Sequence, residues 1–145
     1  MKTSIIEIGL PTQKLTEVQA ELEGCLREQG DTIIGYQVYD DLTLLVVRLA
    51  DNTVQRYLDT LSAAFHKELI SSFQVVHCHL FKVVFRQEST KMALREFPLR
   101  VGESWFAAVD NEAAAYICLD SPYLSQEQIA WLATQPAIIQ WTQAS

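Results

Sequence analysis

The sequence predicts an α+β fold, and three observations carry that prediction. Residues 3–87 alternate strand and helix patterns in the order β-α-β-β-α-β. Apolar residues recur at every second position in the strand segments and every three or four in the helical ones. The 145 residues, 49% apolar and 20% charged, have the composition of an ordinary globular protein, well away from the polar, highly charged regime that keeps chains disordered. A chain of this length should bury roughly 70% of its unfolded surface around one core.

The elements follow in order. Thr3 to Gly9 is rich in β-branched residues and predicts a first strand, which Leu10-Pro11 ends because proline cannot donate to a ladder. Thr16 with Gln19 has capping-box spacing, and Val18, Leu22, Cys25 and Leu26 recur at helical intervals until Gly30 supplies a stop. The other side of this helix is Glu17, Glu21, Glu23, Arg27 and Glu28, a solvated acidic face. Thr32 to Tyr39 and Thr43 to Leu49 read as a hairpin turned at Asp40-Asp41. The second of these strands is apolar on both faces, which suits a central position in a sheet. Asp51 or Asn52 can cap a second helix whose stripe is Val54, Tyr57, Leu58, Leu61, Phe65 and Leu69. Phe73 to Arg86 predicts a long strand, with Phe73, Val75, Phe81, Val83 and Phe85 on one face and Val76, Leu80 and Val84 on the other.

Beyond Gln87 the pattern changes. Gln87 to Lys91 is polar enough for a turn, and Met92 to Val101 predicts an extended edge segment, in keeping with Pro98. Trp105 to Val109 and Ala113 to Leu119, flanking Asp110-Asn111-Glu112, predict a second hairpin. Ser121-Pro122 breaks it, and Ser125 with Gln128 has N-cap spacing for a short helix carrying Ile129, Leu132 and Ala133, stopped before Pro136. The last residues, Ala137 to Trp141, are apolar for a terminus.

The β-α-β-β-α-β order resembles the ferredoxin-like superfold over residues 1–87. That resemblance implies an antiparallel sheet with two helices on one face, to which residues 88–145 add a C-terminal β-hairpin and short helix packed on the same core, the whole chain forming one domain. A fold of this kind hosts many functions, so function is argued from residues.

Charge and motifs narrow the classes. With 11 basic against 18 acidic residues and a net charge of −7, a phosphate-backbone partner is not expected, since nucleic-acid binding draws on clustered Lys and Arg. The first seven residues already contain Glu7 and no secretory apolar stretch, and no window approaches 18 apolar residues, so a cytoplasmic chain without membrane insertion is expected. Cys25, Cys78 and Cys118 fit neither a disulfide framework nor a paired metal motif and read as buried thiols. No glycine-rich phosphate loop and no nucleophile elbow is present, and no cofactor is expected.

His77 and His79, at i and i+2 on a strand, share a face and could offer two imidazoles to a metal. A third ligand would have to come from His66, Asp110, Asp120 or Glu112. Asp40-Asp41 and Asp110-Asn111-Glu112 read as turn formers rather than acid/base pairs. All three tryptophans, Trp105, Trp131 and Trp141, lie near the C-terminus and together with Phe106 are the candidates for partner binding, because indoles are enriched at protein contacts. The resulting expectation is a non-catalytic protein-interaction module, an adaptor or assembly chaperone that binds another protein and pairs as a homodimer. Small acidic α+β proteins of this size resemble bacterial secretion chaperones in size and charge, a likeness that carries no binding residue over. The alternatives are a small-molecule-binding regulatory domain of ferredoxin-like type, its ligand held between two such units, and a metal-dependent enzyme using His77 and His79.

Overall fold

The computed structural model describes residues 2–29, 31–49, 55–87, 94–109 and 112–144. The order of elements is β1 (Thr3–Pro11), α1 (Leu15–Gln29), β2 (Thr32–Tyr39), β3 (Leu42–Arg48), α2 (Gln55–His66), β4 (Ser72–Phe85), β5 (Ser104–Ala107), β6 (Ala114–Leu119), α3 (Gln126–Ala133) and β7 (Ile138–Gln143). The chain divides into two compact units, residues 4–77 and residues 78–145 with 1–3. The division falls inside β4.

In the first unit β3 pairs antiparallel with both β2 and β1, the central position its two apolar faces predicted. Ile6, Ile8 and Leu10 of β1 lie opposite Val47, Leu45 and Thr43 of β3. With Val18 and Leu22 of α1 and Leu61 of α2, all but Thr43 enter one buried cluster, joined by Leu49, Leu69 and Ile70. Each such side chain contributes about 1.5–3 kcal/mol by leaving water. The start of β4 runs close to Gly9: the Ser71 N–H donates to the Gly9 carbonyl at 2.7 Å, and a Cβ at Gly9 would meet only the rotatable Ser72 Oγ, at 2.8 Å.

In the second unit β6 pairs with β4 and β5, and β7 pairs with β4, all antiparallel. Phe81, Val83 and Phe85 of β4 form a second buried cluster with Leu94, Phe97, Ala115, Ile117, Leu119, Leu132 and Ile138. The predicted face of β4 therefore exists, but Phe73 and Val75 pack in the first cluster and Phe81, Val83 and Phe85 in the second.

The ferredoxin-like expectation is overturned. Among the described residues the strands form a seven-stranded antiparallel sheet in the order β2-β3-β1-β4-β6-β5, with β7 also on β4, and three α-helices hold only about a quarter of the chain. The cause is the length of β4. Its 14 residues outrun β1, and the second half, His79 to Phe85, is paired by β6 and β7. The hairpin and the C-terminus thus build sheet and core of their own rather than decorating a finished βαββαβ core with two helices on one face.

Smaller corrections share a local cause. The chain leaves Pro11 through a 3-10 turn, Thr12–Lys14, straight into α1, so Thr16 lies inside the helix and the Gln19 amide donates forward to Glu23 at 3.3 Å. Residues 94–101 are not an edge strand, because Leu94 and Phe97 turn inward to the second cluster from a single 3-10 turn. The capping box of α3 forms as predicted, Ser125 Oγ accepting from the Gln128 N–H and Gln128 Oε1 from the Ser125 N–H. Cys78 and Cys118 are buried and form no disulfide with one another. The predicted caps Asp51 and Asn52, the turn residues 88–91 and Asp110-Asn111, and the side chains of Cys25, Leu26, Tyr57 and Leu58 lie outside the described residues.

Candidate functional site

The second unit gathers three of the four aromatic candidates on one cluster. On β5, Trp105 pairs in register with Ile117, and on β7, Trp141 pairs with Val83, so both share the face that α3 covers. Trp131 of α3 meets Phe97 edge-on, with ring centroids 5.4 Å apart and planes at 87°. All three indoles are half-buried against the second cluster. Phe106, one residue on from Trp105, points to the opposite face of β5, where it is buried and stacked on Tyr116 at 5.4 Å. It presents no surface.

A feature the sequence reading missed stands beside them. Arg100 to Glu103 is a reverse turn in which the Glu103 N–H donates to the Arg100 carbonyl at 3.0 Å and Gly102 takes φ +84°, open to glycine at little cost. The Glu103 side chain, only 1% exposed, accepts from the Arg100 N–H at 2.8 Å, from Arg100 Nε at 2.9 Å and from Gln128 Nε2 at 2.9 Å. Burial pushes the Glu103 carboxyl up, but the bonds from Arg100 and Gln128 outweigh it and hold the group below the usual carboxylate range. Gln128, fully buried, also donates to the Pro98 carbonyl, and Arg100 Nη2 reaches the Tyr123 carbonyl at 3.1 Å. This bracing holds Val101 fully exposed at the tip of the turn, with Leu99 and Tyr123, the latter 76% exposed, on the two segments that Arg100 joins. The signal in the sequence was Val101-Gly102, the glycine sitting where a type II turn demands positive φ.

No family model, curated protein or solved structure matches this chain. The remaining candidates rest on their own geometry. His77 is exposed and its Nδ1 lies 2.8 Å from Ser4 Oγ. A serine–imidazole contact is the first half of a nucleophile–base pair, yet among the described residues no carboxylate orients the far nitrogen, and Ser4 is itself buried. His79 is 7% exposed and its Nδ1 has no hydrogen-bond partner among the described residues. Burial first, then nearby positive charge including Lys2, holds His79 below the ordinary histidine value, with Asp120 opposing. No group of three His, Cys, Asp or Glu side chains able to hold a metal occurs among the described residues, so neither histidine has there the third ligand a centre requires. Asp40 and Asp41 form the β2-β3 turn, the Asp41 carbonyl accepting from the Thr12 N–H at 2.7 Å. None of the helices among the described residues is long and apolar enough to cross a membrane.

The first unit carries a groove of about 680 Å³ where the 3-10 turn after β1 faces the end of α2. Gln13, Lys14, Phe65, His66, Lys67 and Glu68 line it, over Ile70.

Proposed function

We propose that this chain is a non-catalytic protein-interaction module, an adaptor or assembly chaperone that binds another protein in the cytoplasm. The observation that carries the reading is the braced turn. A fully exposed aliphatic side chain, Val101, sits on a backbone fixed by a buried carboxylate, a buried amide and a guanidinium. Binding through a mobile loop forfeits conformational freedom on association, whereas a turn already held in one shape gives up little. Tyr123 and the exposed edges of Trp105, Trp131 and Trp141 supply the aromatic surface that protein contacts favour.

The test is affinity capture from the source cells at low and high salt, with light scattering on the purified chain. Wild type should return a stoichiometric partner, or a second copy of itself. Val101→Glu should reduce that recovery by at least about tenfold. Because Val101 is fully exposed, its thermal unfolding should match wild type. Absence of any stoichiometric partner, or equal recovery with Val101→Glu and Tyr123→Lys, would overturn the reading.

A further inference from the structure

We propose that the groove between the Thr12–Lys14 turn and the end of α2 binds a small monoanionic carboxylate carrying a flat apolar body. The site is independent of the protein-interaction reading and lies wholly in the first unit. Its volume is about 680 Å³, and most of the side chains that line it are exposed.

The walls are set by the backbone. Lys67 and Glu68 close the end of α2 through bonds from their N–H groups to the Ala63 and Phe65 carbonyls, at 3.1 and 3.0 Å, and Glu68 then turns the chain with φ +59°. The return to β4 is tied to β1 by the Ser71 to Gly9 bond. The main chain around the groove is therefore held in one shape, and a ligand has only side chains to order.

In a protein of net charge −7, the lysines and the carboxylate lining the groove are Lys14, Lys67 and Glu68, a local excess of one positive charge. Lys67 enters no ion pair among the described residues, and Lys14 holds Glu17 only at 3.9 Å, both side chains being largely exposed. Phe65 is 46% exposed, edge-on to His66 at 6.2 Å between centroids, over a floor that includes the buried Ile70. A half-exposed phenyl beside lysines suits a ligand with a flat apolar body and one negative end, the body on the ring and the carboxylate on ammonium. Glu68 sets the charge: it disfavours a dianion such as phosphate, which would meet a carboxylate beside its lysines.

Benzoate is the probe, titrated into the ¹⁵N-labelled full chain and followed by amide shifts, with inorganic phosphate as the comparison. Saturable shifts confined to residues 11–14 and 65–71 are expected, with a Kd of about a millimole per litre and phosphate at least about tenfold weaker. Phe65→Ala and Lys67→Gln should each weaken benzoate by about tenfold, and Lys2→Gln should change nothing. If Lys67 only offsets the negative end of α2, Lys67→Gln will lower stability and leave the titration unchanged, which overturns the proposal. No saturable shift, or phosphate binding as tightly as benzoate, overturns it as well.

Discussion

Glu103 shows how one side chain can fix a surface it does not reach. Its carboxylate satisfies the Arg100 backbone and side chain and the buried Gln128 amide at once. Glu103→Ala removes the acceptor for all of them and should cost about 2 kcal/mol in urea unfolding. The carboxyl is held below its ordinary value when folded, so its contribution is complete above the unfolded pKa, about 4.3, and fades as pH falls through the folded one. His79 acts in a different window. Its folded value is also lowered, which for a base means that folding favours the neutral ring. The stability it permits is present above the unfolded pKa of about 6.5 and is lost as pH drops toward the folded value. Urea midpoints of wild type should therefore fall between pH 7.5 and 5.5, and His79→Leu should flatten that fall, because the imidazole nitrogen left without a partner goes with the charge.

At the scale of elements, the β2-β3 hairpin depends on a residue outside it. Thr12 Oγ1 donates to the Asp40 carbonyl at 3.2 Å and lies 2.9 Å from the hydroxyl of Thr43, which is fully buried. Thr12→Val keeps the shape and leaves the Thr43 hydroxyl without that contact, so it should cost about 1–2 kcal/mol by thermal or urea unfolding. A cost near zero would mean water replaces the hydroxyl. The order of elements through β4 and the Ser125–Gln128 cap were legible because each is written in neighbouring residues: alternation, helical spacing, a turn former, a cap. What was not legible needed distant partners. Ala137 to Trp141 looked only apolar, yet Ile138 to Gln143 becomes a strand by pairing with Phe81 to Phe85. Thr16 and Gln19 had the right spacing for a cap, but the turn at Thr12–Lys14 started the helix earlier. In the candidate site, Trp105, Trp131 and Trp141 were visible as residue types, while the bracing of Val101 rests on a bond from Gln128 to Glu103 across 25 residues, which no local pattern announces.

For the whole molecule, the two clusters divide the spectroscopic signals as well as the contacts. All three tryptophans pack on the second cluster, so indole fluorescence reports on that cluster. Leu132→Ala, which empties part of the packing beneath Trp131, should shift the native emission to longer wavelength and cost about 2–5 kcal/mol. Leu45→Ala in the first cluster should cost a similar amount by circular dichroism while leaving the native emission maximum in place. An emission shift in Leu45→Ala would show that the indoles sense the first cluster too.

The length of β4 has a consequence for how this protein can change. Ile6, Ile8 and Leu45 bury Phe73 and Val75 from one stretch of the strand, and Ile117, Leu119 and Leu132 bury Phe81, Val83 and Phe85 from the next. Both sets occupy odd positions, and parity along a strand decides facing. One residue inserted between His77 and Cys78 would turn the later set to the wrong side of its sheet while leaving the earlier set untouched, whereas an inserted pair would return each to its place. The strand therefore acts as a ruler read from both ends, and homologous chains should vary in the length of this segment by even numbers.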